Sequence, residues 1–257
     1  MLMFTDQVTY IGIDPTAGQK PFSYAALDGA RRLLVLGQGT LDEVLAFCGG
    51  QRGAIAAVCA PRRPNQRLME QEDVRQHISP APKPGRWTGF RVAEYLLRQH
   101  HITTYKTPAV EADCPAWMRM GFQLYKRLEG FGYQPYPAPE APLQWLEVYP
   151  HACYCALLGQ VPLPKHTFEG RIQRQLALVE QKLDVPDPMD LFEEITRHRL
   201  LQGILPLDEL YTQGELDALV AAHTAWLAAS HPAQVTALGD PSEGVVVVPA
   251  AELKRRY

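Results

Sequence analysis

Three acidic residues carry the chemistry for which this sequence can be read: Asp14, Glu147 and Asp217. Asp14 closes a β-branched and aromatic run, Val8-Thr-Tyr-Ile-Gly-Ile-Asp14, stopped by Pro15 and Gly18. Its carboxylate is therefore expected at the carboxyl end of a strand, where chemistry in open α/β sheets tends to sit. Glu147 lies near the end of a second such run, Leu143 to Tyr149, in which Trp145, Glu147 and Tyr149 share one face. Asp217 falls in a helical pattern and shares its face with Ala221, Thr224, Ala225 and Ala228, small residues that let a helix approach a sheet closely. Glu215, two positions earlier, points about 200° around that helix and cannot share the face. Three acids brought together repel one another and their pKa values rise unless a cation sits among them. An oxygen-only set suits Mg²⁺ or Mn²⁺, an ion that activates water and stabilises the leaving oxygen of a phosphodiester. Asp14, Glu147 and Asp217 are thus the expected catalytic and metal-binding residues. Each also has a plainer reading: a turn cap, an exposed edge, or a helix first turn favoured by the dipole.

The elements that must position these acids follow in order along the chain. Phe22 to Leu27 and Arg32 to Leu36 read as hairpin partners of the first strand, and Gly37 to Gly39 as a break. Thr40-Leu-Asp-Glu43 is a capping box opening a helix that runs to about Phe47. Ala54 to Cys59 is a short continuous apolar run, the pattern of a buried parallel strand. From Ala60 to about Gly85 Pro, Arg and Gln dominate, with a short helix expected within Leu68 to His77. Helices are expected at Phe90–His100, Pro115–Leu128, His151–Leu158, Arg171–Lys182, Pro188–Leu201 and Glu215–Ala229, and strands at Ile102–Tyr105 and Gly244–Pro249. The Pro-rich stretches Pro80 to Pro84 and Pro135 to Pro142 bracket an insertion at about 61–140 rather than a separate domain, so residues 1–257 read as one domain.

The chain has 257 residues, 46% hydrophobic and 21% charged, enough for one large packed domain. No apolar run approaches the roughly 20 residues that span a bilayer, and Met1 to Thr9 lacks the pattern of a secretory signal. Five cysteines without a CxxC pair, including Cys153 and Cys155, read as small apolar residues in a reducing cytoplasm. A net charge of −3 argues against holding long nucleic acid by bulk electrostatics. Local basic groups remain: the stretch from Pro61 to Arg91, containing Arg62, carries four more cations than acids, and Lys165, Arg171 and Arg174 cluster further on. A solvated face is the commoner meaning of such scattered charge, and a local phosphate contact the alternative.

Tyr10-Ile-Gly-Ile-Asp14, Arg91-Val-Ala-Glu94, Glu147-Val-Tyr-Pro150, Lys165 with Gly170-Arg171, Asp217-Ala-Leu-Val-Ala-Ala222 and Gly244-Val-Val-Val-Val-Pro249 occur in an order that resembles the family called domain of unknown function 429, predicted nucleases of the RNase H-like fold. The resemblance spans nearly the whole chain. It implies a mixed five-stranded sheet, its first three strands antiparallel, flanked by helices, with a helical insertion between the fourth and fifth strands. It also implies that Asp14, Glu147 and Asp217 are the acidic positions. Lys165, Arg171 and Arg174 then form a basic segment able to meet phosphate oxygens, with Arg62 as a further substrate contact. Members of the family commonly carry an Asp at the end of the fourth strand, where this chain has Cys59, a soft sulfur poorly suited to Mg²⁺.

Three functions follow. The first is a Mg²⁺- or Mn²⁺-dependent nuclease or phosphodiesterase acting on nucleic acid. The second is a degenerate module that binds nucleic acid or a protein without cleaving it, favoured by Cys59 and the acidic isoelectric point near 6.2. The third, ranked last, is a nucleotide-binding phosphotransferase of the actin-like fold, which also opens on a Gly-Ile-Asp strand but needs a second domain copy and a Gly-rich phosphate loop.

Overall fold

A computed structural model describes residues 8–16, 20–78, 81–83, 85–205 and 207–257. Met1 to Gln7, Gly18, Pro80 and Pro84, on which the readings of the first residues, the turn after Asp14 and the Pro-rich bracket rest, lie outside the described residues. The chain opens with strands β1 (Thr9–Asp14), β2 (Phe22–Leu27) and β3 (Leu33–Gly39). Helix α1 (Leu41–Gly49) and strand β4 (Ala54–Val58) follow. The Thr40–Glu43 capping box forms at α1 as its spacing requires.

Between β4 and β6 (Leu143–Val148) lie helices α2 (Glu72–Gln76), α3 (Val92–Gln99) and α4 (Ala116–Gly130) and the two-residue strand β5 (Gln134–Pro135). After β6 come α5 (Pro150–Leu158), α6 (Phe168–Glu180), the short α7 (Asp190–Glu194) and α8 (Arg197–Leu201), and the long α9 (Gln213–Ser230). Strands β7 (Thr236–Asp240) and β8 (Gly244–Val248) complete the order.

The expected five-stranded RNase H-like sheet is corrected here. The strands form one eight-stranded mixed sheet in the order β3-β2-β1-β4-β6-β8-β7, with β5 pairing to β6 beside that path. Strands β1, β4, β6 and β8 run parallel, while β2 and β3 at one edge and β7 at the other are antiparallel to their neighbours. The missed strands leave weak signals. β7 is an edge strand, half-buried or exposed throughout, without an apolar run, and β5 is two exposed residues, one of them proline. Ile102 to Tyr105 forms no strand. Two of its carbonyls are met by side chains instead of a ladder: Thr103 by the Tyr149 hydroxyl and Thr104 by the Arg98 guanidinium.

Helix α9 is the central packing element. Residues Leu216 to Ala228 are all buried, with α5 and α6 beside it and the β1–β4 face beneath. Helices α1 and α4 cover the opposite face through Val44, Leu45, Leu124 and Leu128. Gly12 sets the distance between sheet and helix. A Cβ there would lie 1.9 Å from the Ala218 carbonyl oxygen and 2.5 Å from the Ala222 nitrogen, so the backbones of β1 and α9 meet where only hydrogen fits.

Candidate active site

Strand register decides which acids meet. Ile13 stands beside Val58, and Val58 beside Glu147, so these three share one face of the sheet. Asp14, one residue on, shares the other face with Cys59, whose N–H donates to the Ile13 carbonyl at 2.9 Å. That second face is the one α9 covers. Thr212 caps α9 through a capping box with Glu215, and this fixes the first turns in which Asp217 sits. Gly214 clears the approach: a Cβ would stand 2.5 Å from the Ser23 hydroxyl and 3.5 Å from the Asp14 carboxylate.

Asp14 and Asp217 consequently line one cavity of about 600 Å³ at the carboxyl ends of β1, β4 and β6, together with Cys59, Lys165, Arg174 and Gln213. Burial and the neighbouring Asp217 push the Asp14 carboxyl well above its usual range, and Lys165 opposes them only in part. Burial also raises Asp217, against the pull of Lys165 and Arg174. The Lys165 ammonium stands 3.6 Å from the Asp217 carboxylate and remains half exposed. Arg174 is 2% exposed, donates to the Leu163 and Gly170 carbonyls at 2.8 Å, and lies against the Tyr154 ring. Its position is thus fixed before any ligand arrives.

Glu147 is not brought to this cavity. It is fully buried on the other face, gripped by the Arg91 guanidinium and accepting from the Arg62 N–H at 3.1 Å. Arg91 also meets Glu94 at 3.1 Å, and Glu94 accepts from the Thr107 N–H and hydroxyl. Glu147 therefore serves a buried ion-pair cluster that ties α3 to the sheet. Arg171 is likewise committed, donating to the Tyr211 and Leu210 carbonyls. Arg62 stacks on Trp145 and pairs with Glu129 at 2.8 Å, away from the cavity lining. Of the expected site residues, Asp14, Asp217, Lys165 and Arg174 converge, and Glu147, Arg171 and Arg62 do not.

Cys59 occupies the position at which an acid was expected, between the two carboxylates. Its thiol donates to the Asp217 carbonyl at 3.5 Å. Burial first, then Asp14 and Asp217, push the thiol well above its ordinary pKa. Without an ion in the cavity the thiol is thus held protonated, which disfavours a nucleophilic role. All five cysteines are free and buried. Among the described residues no group of three or more His, Cys, Asp and Glu side chains could hold a metal ion.

Sequence reasoning missed several cavity residues: Gln213, whose side chain bonds Asp217, and the aromatic residues Tyr105, Trp117, Tyr149 and His151. Tyr149 and His151 directly follow a strand that ends at Val148, which is a usable signal. Tyr105 and Trp117 come from the segment between β4 and β6, and no local pattern marks them.

A family model matches residues 48–243. The chain belongs to the DUF429 family, described as protein of unknown function. The matched span of this DUF429 member contains Cys59, Lys165, Arg174 and Asp217, while Asp14 reaches the cavity from a strand that precedes it. No curated protein and no solved structure matches the chain. No helix of the described residues is long and apolar enough to cross a membrane.

Proposed function

We propose that this DUF429 chain hydrolyses a phosphodiester of nucleic acid in the cavity between Asp14 and Asp217, with one Mg²⁺ or Mn²⁺ held by the two carboxylates. The observation that carries the reading is the pairing of a half-buried carboxylate, Asp14, and a buried one, Asp217, with Lys165 and Arg174 in one cleft at the ends of three parallel strands. Both acids are raised by burial, and the two cations offset only part of that cost, so a divalent ion between them is favoured. Mg²⁺ is commonly held by one or two carboxylates, with water and substrate phosphate filling its shell. Two acids therefore fit a single hydrated ion. Bound there, the ion would supply charge neutralisation at the phosphoryl oxygens. Arg174, held by its two carbonyl bonds, and Lys165, at the rim, direct fixed positive charge at the same oxygens. Five unpaired cysteines support a reducing, cytoplasmic setting.

One observation favours a second reading, in which the chain binds nucleic acid without cutting it: the thiol of Cys59 stands where a third carboxylate would complete the site. A single experiment separates the two. Bis(4-nitrophenyl) phosphate and labelled single-stranded, duplex, hybrid and branched nucleic acids are incubated with wild type, Asp217→Asn and Cys59→Asp, with and without Mg²⁺ or Mn²⁺. Hydrolysis is expected to need the ion and to fall about a hundredfold or more in Asp217→Asn. Cleavage that persists unchanged in that variant defeats the assignment. Turnover by Cys59→Asp alone would establish the binding module.

A further inference from the structure

The wall of the cavity facing the charged cluster is aromatic and continuous. Trp117 meets Tyr105 edge-to-face with centroids 5.1 Å apart, Tyr105 meets Tyr149 in the same way at 5.1 Å, and Tyr149 meets His151 at 5.9 Å. All four rings line the cavity. They are gathered from three places: the loop after α3, the start of α4, and the junction of β6 with α5. Core packing gives such rings no reason to stay open. The Tyr125–Trp145 pair, of similar geometry, is closed within the core, whereas Tyr105, Trp117, Tyr149 and His151 all keep partial exposure. The wall is also fixed in advance. The Tyr149 hydroxyl donates to the Thr103 carbonyl at 3.0 Å, and its ring meets both Tyr105 and His151. Burial, with Arg174 and Lys165 nearby, lowers the His151 pKa, so its imidazole is an uncharged surface at neutral pH.

We propose that this wall is a nucleobase platform and that the cavity takes one unpaired nucleoside phosphate, with the base against Trp117 and Tyr149 and the phosphate at Lys165 and Arg174. The proposal rests on the reading that phosphate is bound at that cluster, and adds what lies beside it. Aromatic rings offer a base about 1–3 kcal/mol of stacking whatever its identity, because every base has a π-face. A volume of about 600 Å³ lies within the range of small-ligand sites and suits one nucleotide rather than a duplex. The nucleotide has two sources, a free mononucleotide or an unpaired residue of a strand, and they share this chemistry.

The test is equilibrium binding without turnover, by calorimetry in the presence of Mg²⁺, of adenosine 5′-monophosphate, ribose 5-phosphate, and a short single-stranded oligonucleotide and its blunt duplex, both with hydrolysis-resistant linkages. The mononucleotide is expected to bind at least about fivefold more tightly than ribose 5-phosphate, the lower end of one stacked base. Trp117→Leu and Tyr149→Leu should each bring the two affinities together. Lys165→Ala should weaken both and keep their ratio. Preference for the oligonucleotide over the free nucleotide assigns the strand as source, and the reverse assigns the free nucleotide. Equal binding of mononucleotide and ribose phosphate by wild type overturns the proposal, whatever the variants do. So does a ratio that survives in both leucine variants, tight binding of the blunt duplex alone, or no binding of any of the four. Because the ratio needs no catalysis, failure to hydrolyse a phosphodiester leaves it standing. Hydrolysis of bis(4-nitrophenyl) phosphate with equal binding of the two phosphates would overturn the platform alone.

Discussion

Gly12→Ala is expected to destabilise the fold severely, and Gly12→Val more severely still. The added Cβ would fall 1.9 Å from one backbone atom of α9 and 2.5 Å from another, and neither can swing aside as a side-chain tip would. Relief requires lifting α9 from β1 over a helix buried from Leu216 to Ala228. Overpacking commonly costs about 1–3 kcal/mol where neighbours can shift. Here the obstacle is backbone, so a loss above about 4 kcal/mol is expected, a large share of the about 5–15 kcal/mol that holds a domain together. Equilibrium urea unfolding followed by circular dichroism measures it. A Gly12→Ala protein with an unchanged midpoint would mean that α9 does not lie where it has been described. The same lift would separate Asp217 from Asp14, so any folded Gly12 variant should also lose ion binding.

Arg91→Met should cost about 3–5 kcal/mol, because it strands Glu147 and Glu94 as buried charges without their shared partner. Burial disfavours the Arg91 charge, and Glu147 and Glu94 more than restore it, which is why the three hold together. Removing both ends of the stronger pair, as Arg91→Met with Glu147→Leu, should recover much of that loss. The Arg62 N–H would then lack an acceptor, while Glu94 keeps its bonds from Thr107. A double-mutant cycle in urea gives the coupling directly. Additive losses would show that Glu147 is not Arg91's partner in solution. The cycle also bears on function: if Glu147 were a ligand in the cavity, Glu147→Gln would remove ion binding while Arg91→Met left it intact.

That misplacement of Glu147 marks the boundary between what local pattern reveals and what it hides. The end of β1 at Asp14 is legible because β-branched and aromatic residues run into Pro15. The inward turn of Asp217 is legible because Ala221, Thr224, Ala225 and Ala228 leave room on its side of α9. Alternation along β6 correctly separates Glu147 from Leu146 and Val148, yet it does not say which of those faces β1 turns towards Asp14. Only the pairing of Ile13 with Val58 and of Val58 with Glu147 settles that, and register between distant strands is a tertiary fact. The basic segment divides similarly. Lys165 and Arg174 reach the cavity while Arg171 turns to the Leu210 and Tyr211 carbonyls, a choice set by the packing of α6 against the segment before α9. The aromatic wall was illegible because its rings come from elements far apart in sequence, and β7 was hidden because an edge strand has no fully buried face.

Thermal melting of wild type and Asp14→Asn, with and without millimolar Mg²⁺, tests the shared carboxylate site most directly. Below the unfolded-state pKa of about 4, Asp14 is protonated in both states. As pH rises from there towards its higher folded value, the unfolded chain releases the proton first and stability falls. Without the ion, Asp14→Asn escapes that loss, so at neutral pH it should melt above wild type. With the ion, wild type should gain about 2.7 kcal/mol at a concentration a hundred times Kd, several degrees in Tm, and Asp14→Asn should gain little. An ion-independent wild-type Tm, or an equal rise in both proteins, would contradict a metal site built on Asp14 and Asp217.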